Sequence, residues 1–286
     1  MHQDWLIGGF LSMKKVKYIS IVFISIILAM IFHIIASNYS TTPKTANWSF
    51  LVKSLGLIPT IIIWYVIAYG SIAYIFYKNE DKFVGTNIAK GLRYGISIGI
   101  LWLWGMLIGV LLYHNPFSNE LVTGICDAVP IVIMGLLLGK FMTKSNHHIE
   151  SKHKSINVIN IILSLLIFSI IFSIGCYIIN YTGIIKIAHQ TEPYFAFIWP
   201  FLMGTCIGIT YLLLDNGTQS SSKLSSAIKF GSTLFGTNWL VFAIFMPFIF
   251  NGILFKFIIS IIVNILSVIL SCYLTLYIDK QAKKLK

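Results

Sequence analysis

Charge is scarce in this chain, and arginine nearly absent. Only 10% of the residues are charged, and Arg93 is the single arginine among 21 Lys and Arg. Soluble domains carry about a quarter charged residues. A water-soluble body of this size is therefore excluded, because too much apolar surface would face solvent. Cysteine is sparse as well. Cys126, Cys176, Cys206 and Cys272 all lie in apolar runs, and none forms a CxxC pair. That excludes a disulfide framework or thiolate metal site and leaves four small buried hydrophobes.

Catalytic patterns are missing too. No Walker, zinc-protease or Rossmann motif occurs. An intramembrane aspartyl protease needs two deep carboxylates, and Asp127 is the one acid deep in an apolar run. A serine nucleophile needs a base, and His33 is the one histidine well inside such a run. The expectation is a non-enzyme without a cofactor.

What the chain has is oil. Hydrophobic residues make up 57% of its 286 residues, and the mean hydropathy is +0.85. Eight runs stand out: Tyr18–Ser37, Ser54–Tyr77, Tyr94–Tyr113, Asn119–Gly139, Val158–Tyr181, Tyr194–Leu214, Phe230–Phe250 and Ile253–Tyr277. A run of about 20 residues at 1.5 Å each crosses a hydrocarbon core of about 30 Å. Open strands cannot span lipid, and barrel alternation is absent, so the runs are helices. The fold class is an all-α integral membrane protein with about eight transmembrane helices.

The lysines orient it. The net charge is +12, but the basic residues form short clusters between apolar runs. Seventeen Lys and Arg fall in the N-terminal segment, the even-numbered loops and the tail; the other side holds four, Lys44, Lys53, Lys186 and Lys256. By the positive-inside rule both termini are cytoplasmic, against an anionic leaflet, and nucleic acid is not the partner. The Ile- and Lys-rich, nearly arginine-free composition suggests an AT-rich genome, hence a bacterial cytoplasmic (inner) membrane. The start, "MHQDWLIGGFLS", carries an apolar stretch, Trp5–Leu11, too short to span. Either it lies in the interface or translation begins at Met13; "MKKVKY" with a retained first span is expected over a cleaved signal. The histidines of "NHHIESKHK", His147, His148 and His153, read as a solvated loop, since cationic neighbours oppose a metal ion.

Shifted by 136 residues, the chain partly matches itself. Arg93, Tyr94 and Gly95 fall on Lys229, Phe230 and Gly231, and Asn115 falls on Asn251. An even number of spans per half makes the halves parallel repeats about an axis along the membrane normal. The expected organisation is a cytoplasmic segment 1–17, a first repeat 18–143, a basic loop 144–155, a second repeat 156–278 and a basic tail 279–286.

Helices in lipid associate through small residues and buried polar contacts. Gly91, Gly95 and Gly99 on span three, Gly124, Gly135 and Gly139 on span four, and Gly231 on span seven predict a packed centre of spans three, four, seven and eight. Asp127 lies eight residues into span four, about 12 Å from the boundary. Burying it there costs about 2.5–3.5 kcal/mol on the insertion scale. It should face the bundle as a neutral acid, and Pro130 frees a carbonyl in the preceding turn. Asn238 and Asn264 lie at similar depth; under the shift they fall on Trp102 and Ala128. A midplane cluster of Asp127, Asn238 and Asn264 capped by Trp102 is the expected solute or proton site, against separate interhelical hydrogen bonds that glue the bundle. Glu120 and Lys256 also correspond, at the external ends of spans four and eight, where they would either form an ion pair or snorkel separately to the interface. These features favour a small-solute transporter or channel-like protein over a non-catalytic accessory protein such as a scaffold, sensor partner, immunity or assembly factor.

Overall fold

A computed structural model describes residues 2–36, 47–143, 158–185, 192–214, 220 and 222–284, with side chains from residues 14 to 278 of these. The described residues are helical almost throughout. The chain runs through α1 (His2–Ala36), α2 (Phe50–Leu55), α3 (Leu57–Asn79), α4 (Asn87–Met106), α5 (Ile108–Tyr113) and α6 (Phe117–Met142). It continues through α7 (Val158–Tyr181), α8 (Pro193–Leu214), α9 (Lys223–Ile228), a π-helical segment (Lys229–Gly236), α10 (Thr237–Ala243), α11 (Phe245–Ile249) and α12 (Leu254–Lys284). No strand occurs among the described residues; one isolated antiparallel bridge joins Trp48 to Phe250.

Eight helical stretches are long and apolar enough to cross a membrane: Lys14–Ala36, Leu57–Lys82, Asn87–Tyr113, Phe117–Met142, Val158–Tyr181, Pro193–Leu214, Lys223–Ile249 and Leu254–Ile278. Each overlaps one expected span. Serine caps open α2 and α9: Ser49 Oγ accepts from Val52 N at 3.1 Å, and Ser222 Oγ accepts from Ser225 N at 3.1 Å. These satisfy amide donors that would otherwise be orphaned at the first turn. The first apolar stretch of the chain is continuous with span one, because α1 runs unbroken from His2.

The spans close a ring. Neighbours around it are α1, α3, the α9–α10 helix, α12, α7, α8, α4 and α6, which returns to α1. Spans three and seven also meet across the ring, where Trp102 stands against Phe242 with centroids 5.3 Å apart. Both spans break their helices in the same way: Leu107 (φ −61°, ψ −11°) separates α4 from α5, and Ile244 (φ −68°, ψ −13°) separates α10 from α11.

Small residues set the tightest contact, between α4 and α6. A Cβ on Gly135 would come within 2.5 Å of the Gly91 carbonyl oxygen, and one on Gly139 within 2.5 Å of the Asn87 carbonyl oxygen. Main chains approach this closely only where side chains are absent, which suits association in lipid. Gly95 packs on Val132, Gly99 on Val132 and Ala128, Gly124 on Leu103 and Gly231 on Ile269. The expected centre needs correction. Span three is the most buried, but span eight, with span one, is among the least buried. Gly231 packs span seven on span eight from outside the ring's middle, and α8 supplies the other neighbour of α4.

Indole donors clamp the two junctions between halves of the chain. Trp104 Nε1 donates to Trp199 O at 3.0 Å, and Trp199 Nε1 donates to Trp104 O at 2.9 Å. At the other junction Trp64 Nε1 donates to Val241 O at 2.7 Å. One end of the bundle is tied further: Ser49 N donates to Ile249 O, Asn251 N to Asn47 O, and Trp48 stacks on Phe250 at 5.9 Å.

Candidate functional site

Asp127 is buried, 3% exposed, on the inner face of α6. Its neighbour is on span one. His33 Nε2 lies 3.6 Å from Asp127 Oδ1, and the imidazole is the more exposed member of this pair. On its other side, His33 Nδ1 stands 3.3 Å from Ala29 O. A carbonyl can only accept, so Nδ1 carries its hydrogen when this bond is made, and the neutral ring then turns a lone pair toward Asp127. A lone pair facing a carboxylate is repulsive. The pair is therefore stable with one proton between them, carried as imidazolium or as carboxylic acid.

Aromatic side chains wall this pair. His33 meets Tyr65 edge-on at 5.8 Å, Tyr65 meets Tyr69 at 5.8 Å, and Tyr69 meets Trp102 at 6.3 Å. Trp64 closes the group, 5.0 Å from Tyr65 and 5.6 Å from Trp102. Tyr65 and Tyr69 both lie within electrostatic range of Asp127. Helical spacing explains the wall, because Trp64, Tyr65 and Tyr69 fall close together on one side of α3. Two polar atoms of this group, Tyr69 Oη and Trp102 Nε1, are buried without a hydrogen-bond partner among the described residues, and Asp127 Oδ1 has only the long 3.6 Å contact with His33. Buried polar groups are satisfied in the great majority of cases, and leaving one unmet costs about 1–3 kcal/mol. Two such atoms beside a buried carboxylate mark a place where polar chemistry is kept against its cost.

The expected cluster is only partly assembled. Asp127 and Trp102 share this aromatic group. Asn238 lies elsewhere: its Nδ2 donates to Leu234 O at 2.5 Å, and it faces the Tyr94 hydroxyl, which donates to Ile72 O at 2.7 Å. Asn264 does not reach Asp127. Its Oδ1 lies 3.9 Å from Cys176 Sγ, because α12 packs on α7 while α6 packs on α1, on opposite sides of the ring. The Glu120–Lys256 pair is not formed, for the same reason of placement. Glu120 instead accepts from Asn115 Nδ2 at 2.5 Å, and Lys256 is exposed at the start of α12.

His33, Trp64, Tyr65 and Tyr69 are the members the cluster reading missed. His33 sits near the end of span one and Asp127 near the start of span four, which antiparallel helices bring to similar depth. Among the described residues no three His, Cys, Asp or Glu side chains converge to hold a metal ion. His147, His148 and His153 lie outside the described residues. No protein-family model, curated protein or solved structure matches the chain.

Proposed function

We propose that the chain is a non-enzymatic multi-pass membrane protein that carries a small solute past the site at His33, Asp127, Tyr69 and Trp102. In this reading it lies in a bacterial cytoplasmic membrane, with both ends on the lysine-rich cytoplasmic side. The observation that carries the proposal is a buried carboxylate, contacted by the part-exposed His33 imidazole, beside two buried polar atoms, Tyr69 Oη and Trp102 Nε1, that have no hydrogen-bond partner among the described residues. Intramembrane ionisable residues are costly and mark solute and proton pathways.

Two parallel four-helix repeats complete the proposal. Its support is the order of the ring, which maps onto itself when each span is exchanged for the one four places later. Local details repeat as well. The Phe76–Tyr94 contact at 5.3 Å has its counterpart in Tyr211–Phe230 at 5.2 Å, and the Trp199-to-Trp104 indole bond has its counterpart in Trp64-to-Val241. Carriers built from parallel repeats place their sites near the bilayer midplane.

The test is flux through proteoliposomes holding the full chain, screened with an organic cation, an organic anion and a neutral alcohol. Asp127→Asn keeps shape and removes charge; it should abolish whichever flux the native chain supports while leaving monodisperse protein. Equal flux with and without the carboxylate refutes the carrier role. A stably copurifying protein, with no such flux, would instead place the chain among accessory proteins.

A further inference from the structure

We infer that the solute is a small organic cation, a protonated amine, taken up in exchange for the proton of the His33–Asp127 pair; this rests on the carrier reading above.

The charge around the site selects the class. The titratable groups facing Asp127 are His33 from α1, Tyr65 and Tyr69 from α3, and Cys126 and Glu120 from its own helix. Among the described residues none of these groups is a lysine or arginine, and one is a second carboxylate, Glu120. An anion would meet no cation except a protonated imidazole and would be opposed by Glu120. A polyol would need several hydrogen-bonding groups, whereas the walls are the rings of Trp64, Tyr65, Tyr69 and Trp102. A multivalent metal ion is disfavoured by the single carboxylate at the centre. Aromatic walls around one carboxylate suit an organic cation, which gains from both the charge and the ring quadrupoles.

The unpartnered atoms fit the same ligand. An ammonium N–H donates to Asp127 Oδ1. The Tyr69 hydroxyl, buried completely and without a partner, can accept a second N–H or donate to an oxygen on the solute. Trp102 Nε1 can only donate, so the preferred amine also carries an acceptor such as a hydroxyl or carbonyl oxygen.

The proton accounts for the exchange. With its shared proton the His33–Asp127 pair is neutral overall, and without it the pair carries one negative charge. Arrival of an ammonium replaces the proton, which leaves through the half-exposed imidazole. The N–H or O–H bond of the pair breaks, the proton goes to water, and the ammonium forms an ionic hydrogen bond to the carboxylate. One positive charge enters for one that leaves. Nothing is oxidised or reduced.

The experiment compares benzylammonium, benzyl alcohol and benzoate, which share a ring and differ in charge. Calorimetry on the full chain in lipid nanodiscs should find benzylammonium bound at least about tenfold more tightly than either of the others, and Asp127→Asn should cost about tenfold. Acidifying from about pH 8 to about pH 5 should weaken binding, because the proton and the ammonium compete for the same pair. His33→Gln, which removes the imidazole from the pair, should change that dependence. In proteoliposomes, inward benzylammonium should drive protons outward. If Asp127→Asn does not fold, Tyr69→Phe serves in its place, with an expected loss of about threefold. Equal or tighter binding of benzoate or benzyl alcohol overturns the inference, as does cation binding indifferent to Asp127 or to pH. A flux of benzoate or benzyl alcohol that depends on Asp127 overturns the cation assignment and leaves the carrier reading standing. Absence of Asp127-dependent flux for all three solutes, with the protein intact, removes both.

Discussion

Trp104 and Trp199 hold each other's main chain. Each indole nitrogen donates to the other residue's carbonyl, at 3.0 and 2.9 Å, so one pair of side chains fastens α4 to α8 with two bonds. A helix carbonyl already serves its own ladder; its second lone pair accepts these donors without breaking the helix. The geometry is closed, because rotation of either helix would stretch both bonds together.

The first expectation concerns this clamp. Trp104→Phe or Trp199→Phe should each destabilise the bundle by about 0.6–1.7 kcal/mol, the range of interhelical hydrogen bonds in lipid. The double variant should cost less than the sum of the singles, since loss of one bond loosens the other. Equilibrium unfolding in bilayers, read for the two singles and the double, measures the coupling.

Trp64 should behave alike at the opposite junction. Trp64 Nε1 donates to Val241 O at 2.7 Å, so Trp64→Phe should cost an amount similar to Trp199→Phe. Indifference of stability at Trp64 and a full cost at Trp199 would argue against equivalent junctions.

The third expectation contrasts two glycines. Gly135→Ala drives a methyl into the Gly91 main chain and should cost about 1–3 kcal/mol by overpacking. Gly70→Ala meets no atom within 4 Å and should be neutral or stabilising. Thermal unfolding in nanodiscs distinguishes them.

Topology offers a fourth. Fusions that report the compartment, placed at residue 286 and before Met1, should both report the cytoplasm. A fusion in the loop near Lys186 should report the opposite side. Disagreement between the two ends would undo the proposed parallel halves.

The spans were legible because lipid imposes a length and a composition on any helix that crosses it. Val158–Tyr181 is the same stretch in the sequence pattern and in the structure. The glycine stripe of α4 and α6 was legible for a related reason, as spacing of four residues puts small groups on one face. The partners of Asp127 were not. Which spans become neighbours depends on packing around the ring, and hydropathy is silent about that order. His33 and Asp127 are far apart in sequence yet meet through the α1–α6 contact, while Asp127 and Asn264, matched by the shift, end on opposite sides. Trp64, Tyr65 and Tyr69 read as ordinary lipid-span aromatics until burial and orphaned polar atoms single them out.

In the proposed pair of repeats, the widened turn of Lys229–Gly236 absorbs one surplus amino acid. At its third residue, Gly231 still matches Gly95 at an offset of 136. Beyond it, Trp102 pairs with Trp239 and the break at Leu107 with that at Ile244, an offset of 137. An added residue in an α-helix turns everything downstream by about 100°; a π turn swallows that rotation locally. Excising a single residue from this stretch should therefore convert it to regular α-helix and leave Asn238, Trp239 and Phe242 facing as before, a deletion that would be ruinous in α4.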